Sequence, residues 1–288
     1  MILLENEYLK ASFVSLGAEL KQLIHKETGI DYMWNSDPAY WAKSSPVLFP
    51  IVGALDNNSY NYEGKDYTLP RHGFAREMDF EVTQVNNNTV LFTLVNTDET
   101  LKNYPFEFQL GLRYVLEATT LSCTYEVYNP GKKDLLFSIG AHPAFKVPLA
   151  KDEAYSDYEL VFNKDTELVY HKIANNLIDS ATVVLPLNDG ALTLNHELFY
   201  EDALVFKTLK SDQITLQDMQ GKHGLHFKFE GFPYFGIWAA KDADFVCLEP
   251  WCGIADHVGH HGKLEQKEGV NLLKAGESWN RTWQVACF

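Results

Sequence analysis

Alternation of apolar and polar residues with a period of two is the feature that most constrains the fold of this 288-residue chain. In the segment 225–229, Leu225, Phe227 and Phe229 share one face, and the two residues between them are polar. The same alternation predicts strands over Val90–Val95, Leu121–Tyr128, Tyr158–Phe162, Ala203–Leu209, Gln213–Leu216 and Trp279–Val285.

Turn-forming residues separate these stretches, as in Asn129-Pro130-Gly131 and Asn188-Asp189-Gly190. Helical periodicity is sparse, and we predict only one helical turn, at Pro38–Lys43. Many short strands with few helices are typical of a β-sandwich or barrel, and sandwiches of this length commonly fold as one unit. We therefore expect residues 1–288 to form a single all-β domain.

The charge balance restricts the partners of the chain. Its formal net charge of -15 argues against nucleic acid and against an anionic membrane surface, because both require clustered lysines and arginines. A neutral small molecule is compatible with this charge, whereas a phosphorylated one needs a local basic patch. Aromatic residues make up 14% of the chain, and their flat faces either fill a β core or stack on sugar rings.

The spacings of cysteine and histidine predict neither a metal nor a cofactor. The four cysteines, at 123, 247, 252 and 287, match no zinc pattern. The histidine-rich stretch His257–His261 contains a glycine and has polar flanks, so we predict a solvated loop there. The N-terminus is acidic and lacks the apolar core of a signal peptide, which favours a cytoplasmic protein.

Three segments carry polar residues suited to chemistry. The first, Pro70–Arg76, contains Arg71, His72 and Arg76, and it concentrates positive charge in an acidic chain. Arginine presents a planar fork of donors that suits sugar hydroxyls, carboxylates or phosphate. A salt-bridged surface loop is the alternative interpretation.

The second and third segments each place one ionisable residue in an apolar strand. In Ser138–Phe145, His142 stands just before a proline, where a strand is expected to end. In Phe245–Gly253, Glu249 follows an apolar run, and a buried carboxylate needs a cation, donors or a wet cavity. A core histidine and a structural ion pair are the alternatives; periodicity alone favours the core histidine over a catalytic one.

Taken in this order, the three segments resemble the aldose 1-epimerase family, most closely its bacterial branch encoded alongside lactose and galactose genes. The resemblance rests on Arg71–Arg76, Gly140–Phe145 and Leu248-Glu249-Pro250, and it spans essentially the whole chain. It implies a large antiparallel β-sandwich, the galactose mutarotase-like supersandwich, with a sugar held in a shallow cleft.

The resemblance also implies roles for single residues. His142 is the expected general acid and Glu249 the expected general base, placed on opposite sides of the bond between C1 and the ring oxygen. Arg71, His72, Arg76 and Asp202 are the expected sugar contacts, and no metal or cofactor is required. Ala203 stands where the galactose enzymes usually have a histidine.

The expected reaction is the interconversion of the α and β anomers of a hexose, in which one acid and one base open and reclose the ring. We expect neighbouring carboxylates to favour the charged form of His142. Two alternatives stay open: an epimerase of hexose 6-phosphates, suggested by the arginine pair, and a sugar-binding module without catalysis. A glycoside hydrolase needs two carboxylates, and only Glu249 lies in a recognisable motif. The expected substrate is therefore an aldose, either free or phosphorylated.

Overall fold

Antiparallel strands dominate the computed structural model, which describes residues 1–260 and 262–288. In the described residues there is one short α-helix, α1 (Asp98–Asn103), and none of the helices is long and apolar enough to cross a membrane. The strands are β1 (Ile2–Glu5), β2 (Leu9–Phe13), β3 (Leu20–His25), β4 (Val47–Leu48), β5 (Ser59–Tyr62), β6 (Lys65–Thr68), β7 (Glu81–Asn86), β8 (Thr89–Val95), β9 (Gln109–Glu117), β10 (Thr120–Tyr128), β11 (Leu135–Phe137), β12 (Ile139–Ala141), β13 (Ala144–Lys146), β14 (Tyr158–Phe162), β15 (Glu167–Ala174), β16 (Leu177–Pro186), β17 (Ala191–Thr193), β18 (Leu204–Phe206), β19 (Gln213–Asp218), β20 (Gly224–Lys228), β21 (Tyr234–Trp238), β22 (Phe245–Cys252), β23 (Asn271–Leu273) and β24 (Ser278–Cys287).

Two large sheets make up most of the molecule. A nine-stranded sheet has the order β17-β14-β19-β20-β24-β10-β9-β8-β7. An eight-stranded sheet has the order β16-β15-β18-β21-β22-β12-β4, and β13 also pairs with β22. Smaller sheets are formed by β1-β2-β3, β5-β6 and β11-β23. The predicted antiparallel β-sandwich is therefore confirmed.

Aromatic side chains from the two large sheets meet in one core. The rings of Phe229 and Phe235, which follow β20 and lie in β21, are 4.3 Å apart. The rings of Phe145 in β13 and Phe227 in β20 are 5.7 Å apart. On β9 and β10, buried and half-exposed residues alternate, so the alternation in the sequence reflects one face on the core and one on solvent.

Strand β22 is buried along its whole length, between β21 and β12. It continues through Pro250 to Cys252, so Glu249 lies inside the strand and does not end it. Because successive side chains alternate, Cys247, Glu249 and Trp251 share one face. The predicted turn at Pro38–Lys43 is a single hydrogen-bonded turn without a helix, and it brings Trp41 over this face.

Candidate active site

Strand register brings His142 and Glu249 together. Gly140 in the middle of β12 is paired with Trp251, and Ala144 at the start of β13 is paired with Cys247. His142 lies midway between Gly140 and Ala144 and therefore falls opposite Glu249 on β22. Its Nε2 is 3.4 Å from Oε2 of Glu249, and both side chains are buried. The two groups thus lie side by side, and their expected placement about the bond between C1 and the ring oxygen stays a prediction.

Three tryptophans enclose the pair. The indole of Trp41 stacks on the imidazole of His142 with centroids 4.8 Å apart, and Trp238 meets that imidazole edge-on at 5.7 Å. Trp251 lies beside Glu249 in the cleft, and its side chain acts as a weak hydrogen-bond donor to that carboxyl, which opposes the rise of the Glu249 pKa. The arrangement gives the pair a largely apolar surround with one indole donor beside Glu249.

Two glycines leave room for the indole of Trp251. A Cβ added at Gly140 would lie 2.5 Å from Cδ1 of this ring, and one added at Gly236 would lie 2.5 Å from Cζ2 and Cη2. Neither distance is compatible with van der Waals contact. The flat ring therefore occupies its place only because both neighbouring strands carry glycine there.

Gly236→Ala is accordingly expected to displace the Trp251 indole and to lower the free energy of unfolding by about 1–3 kcal/mol, the usual cost of overpacking. Chemical denaturation monitored by tryptophan fluorescence would measure both changes. Gly111→Ala is a matched control, because its added Cβ would meet only side-chain atoms, at 3.3 Å. Equal stability of the two variants would contradict the proposed role of Gly236.

All six residues singled out in the sequence line one cleft, with a cavity volume of about 190 Å³. Apolar residues also line the cleft, including Ile173, Ile178 and Val205. The six are Arg71, His72, Arg76, His142, Asp202 and Glu249.

Two N–H groups approach the two ring nitrogens of His72, although a neutral imidazole can accept only one hydrogen bond. The backbone N–H of Gly53 donates to Nδ1 over 3.1 Å, and Nε of Arg71 lies 3.2 Å from Nε2. Burial, together with the neighbouring His142 and Arg71, lowers the pKa of His72 well below its usual range, so the ring is neutral. A neutral imidazole accepts at only one nitrogen. A ligand oxygen in the cleft would relieve this conflict by accepting from Arg71 or from Nε2–H.

The hydrogen bonds of the two arginines go to neutral acceptors. Nη1 of Arg71 donates to Oδ1 of Asn176 over 3.0 Å, and Nη2 of Arg76 donates to the carbonyl of Arg71 over 3.1 Å. Among the described residues, Arg71 has no carboxylate within 4.0 Å, whereas Nε of Arg76 forms an ion pair with Oε1 of Glu77 at 3.6 Å, too long for a hydrogen bond. Asp202 has a backbone φ of 133°, and one of its carboxylate oxygens accepts the N–H of Ala203.

Burial sets the protonation of the central pair. It lowers the pKa of His142 to about 3, and the positive charge of Arg71 acts in the same direction. Burial also raises the pKa of Glu249 well above its usual range, against the opposing charge of Arg71. The expectation that carboxylates would favour a charged His142 is therefore wrong, because desolvation dominates. The pair holds one proton, which either residue can carry without changing the net charge.

This protonation predicts an unusual pH dependence. A pair with ordinary pKa values would lose activity as Glu gains a proton near pH ~4.3. Here the single proton stays on the pair from about pH 3, where His142 takes a second proton, up to the raised pKa of Glu249. We expect kcat/KM to be retained below pH ~4.3 and to fall as the pH rises through the Glu249 pKa.

The measurement is a pH profile of kcat/KM corrected for the spontaneous reaction. Circular dichroism at each pH would show that the protein is folded throughout. An acidic decline centred near ~4.3, with folding intact, would contradict the burial-driven shift.

Sequence reasoning missed several residues of the cleft. Trp41, Asn176, Trp238 and Trp251 all line it. The signal for the tryptophans was weak, since aromatic residues fill β cores as readily as they line sites. Of the histidine-rich stretch, His257 and His260 have rings 5.5 Å apart, whereas His261 lies outside the described residues. Among the described residues, one group has a metal-ligating arrangement: His142, Cys247 and Glu249.

Comparisons with known proteins cover the full length of the chain. The family model described as aldose 1-epimerase matches residues 1–286. Protein LacX (chromosomal) of Lactococcus lactis subsp. lactis is 35% identical, over 98% of this chain and 97% of that protein. A galactose mutarotase related enzyme from Lactobacillus acidophilus has a TM-score of 0.95 at 32% identity, covering 100% of this chain and 97% of that one. A galactose mutarotase-like protein from Lactobacillus casei has a TM-score of 0.91 at 30% identity, covering both chains fully.

Proposed function

Since the chain belongs to the aldose 1-epimerase family, as its sequence motifs indicated, we propose that it catalyses mutarotation of a free hexose with His142 and Glu249 as its acid–base pair. The observation that carries this proposal is the placement of these two groups, 3.4 Å apart and buried in the cleft. Both oxygens that exchange protons during mutarotation are bonded to the same carbon, C1. Two adjacent side chains that carry protons can therefore each serve one of these two neighbouring oxygens.

In the proposed reaction, the single proton of the pair first moves from Glu249 to His142, across the 3.4 Å between Oε2 of Glu249 and Nε2 of His142. Glu249 then takes the proton of the C1 hydroxyl while His142 gives its proton to the ring oxygen. The bond between C1 and the ring oxygen breaks, which leaves an open-chain aldehyde. Rotation about the C1–C2 bond presents the other carbonyl face, and ring closure returns both protons. The pair ends with the one proton it began with, so no external acid or base is consumed.

The surrounding residues support binding of a sugar. Arg71 and His72 have the donor conflict that a hydroxyl oxygen would resolve, and Asp202 can accept from hydroxyl groups. Trp41 and Trp238 offer flat apolar faces. We also propose a cytoplasmic location, because all four cysteines are free and buried, as expected in a reducing compartment.

The arginine pair makes a hexose 6-phosphate the second candidate substrate, because Arg71 has no carboxylate within 4.0 Å among the described residues and Nε of Arg76 makes no hydrogen bond, only an ion pair with Glu77 at 3.6 Å. The free sugar is favoured because several guanidinium donors are already engaged by His72, Asn176 and the Arg71 carbonyl. A phosphate would have to displace these bonds. The net charge of -15 also disfavours an anionic substrate.

One experiment separates these candidates: NMR exchange spectroscopy of anomers across matched free and 6-phosphorylated aldoses. Faster exchange of a free hexose supports the proposal, and faster exchange of the phosphorylated partner alone would assign the second candidate. Sugar binding without faster exchange of either would mean that the chain is a binding module.

A further inference from the structure

We propose that His142, Cys247 and Glu249 form a binding site for a thiophilic divalent cation, such as Zn²⁺ or Cd²⁺, and that this cation inhibits the enzyme. The ion would occupy the acid–base pair itself. The binding site stands on geometry alone, whereas the inhibition rests on the proposed function.

The three side chains have the mutual placement of metal ligands. The ligand atoms of His142, Cys247 and Glu249 all lie within 4.8 Å of one another. In a tetrahedral zinc site with metal–ligand distances of ~2.1 Å, neighbouring ligand atoms are ~3.4 Å apart. Nε2 of His142 and Oε2 of Glu249 are already separated by 3.4 Å. The sulfur of Cys247, which lies within 4.8 Å of both atoms, is the ligand that has to approach.

Strand geometry explains why Cys247 points at the pair. It lies two residues before Glu249 on β22, so both side chains leave the same face of the strand. Ala144 and Trp238 are its partners on the neighbouring strands. Cys247 is fully buried beneath the pair, and the pair lines the cleft through which an ion would enter.

The chemistry of this set selects a soft dication. A thiolate and a carboxylate supply two negative charges, which balance a divalent cation, and a neutral imidazole adds the third ligand. Binding releases two protons to solvent, the proton of the thiol and the one held by the His142–Glu249 pair. The fourth position faces the cleft, as in sites that keep an open coordination position. Hard ions such as Mg²⁺ prefer oxygen ligands and are not expected to bind.

Spectroscopy tests the site independently of activity. Cd²⁺ titrated into EDTA-treated protein should produce the ultraviolet thiolate-to-cadmium charge-transfer band with a stoichiometry of one ion per chain, and Mg²⁺ should produce none. Cys247→Ala should abolish the band and weaken the Kd for Cd²⁺ by more than ~10-fold, whereas the control Cys252→Ala should retain both. A band that survives in Cys247→Ala, or no band in the native protein, would overturn the site.

The inhibitory role has a separate readout. Cd²⁺ at a concentration that saturates the band should slow anomer exchange in the native protein by at least ~10-fold, because both proton carriers are ligated. The ratio of rates with and without Cd²⁺ should return to one in Cys247→Ala. A saturated site with undiminished exchange would refute inhibition, and a metal-free protein without exchange would refute the proposed function but leave the spectral test intact.

Discussion

Glu249→Gln and His142→Asn should each reduce catalysed mutarotation by ~10²- to 10⁴-fold while the protein stays folded. Each change removes one of the two groups that exchange protons with the sugar and keeps a side chain of similar size. Polarimetry of a freshly dissolved anomer, corrected for the spontaneous rate, measures the loss. Because the two groups act as a unit, the double variant should be little worse than either single one.

Stability distinguishes this catalytic role from a structural one. A buried carboxylate is costly, so Glu249→Gln should unfold at the same denaturant concentration as the native protein or at a higher one. A structural ion pair would instead be weakened by the change. The matched controls Glu126→Gln, on the nine-stranded sheet, and His25→Asn, on β3, should mutarotate normally. Near-normal rates in Glu249→Gln or His142→Asn would refute the assignment.

The fold was largely predictable because alternation records burial directly. The strand predicted at Tyr158–Phe162 is β14 with the same bounds, and Val90–Val95 differs from β8 by one residue. Alternation overestimated Ala203–Leu209, of which only Leu204–Phe206 is strand. The three strand residues are all buried, so they show no alternation from which the ends of the strand could be predicted.

The candidate site was predictable as a set of residues but not as a geometry. His142 and Glu249 stand 107 positions apart in the sequence, and only the pairing of β12 and β13 with β22 places them opposite each other. Periodicity within one strand cannot reveal which distant strand it pairs with, or in which register. The ordered motifs therefore identified the two residues, whereas their contact follows from the pairing of strands in the sheet.

The protonation state of His142 was the property of the site that the sequence predicted least well. Local sequence shows which charges could surround His142, but not how completely its solvent is removed. Stacking of Trp41 and edge contact of Trp238 create the apolar surround that lowers the pKa of His142. Both tryptophans lie far from His142 in the sequence, so this desolvation follows from tertiary packing.

A second buried ion pair, between Lys267 and Asp256, lies outside the proposed acid–base site and connects segments beside the cleft. Nζ of Lys267 is 2.7 Å from Oδ1 of Asp256, and both side chains are about 1% exposed. The other carboxylate oxygen of Asp256 accepts the N–H of Asp56 over 2.9 Å, and its backbone bonds to Ala54 and Ile178. The pair thus joins three segments that meet beside the cleft.

Lys267→Met is expected to lower the free energy of unfolding by about 3–5 kcal/mol, because it removes the lysine from the buried carboxylate of Asp256 and leaves only the imidazole of His260, 4.0 Å away. That is a large part of the ~5–15 kcal/mol typical of folded domains. Adding Asp256→Asn should restore most of the loss, since asparagine is neutral and still accepts the N–H of Asp56. Urea denaturation of the single and double variants measures the difference. Lys133→Met, which breaks the exposed pair with Glu63, is the control and should cost at most ~1 kcal/mol. If the double variant were less stable than Lys267→Met alone, the penalty would not come from the unpaired charge.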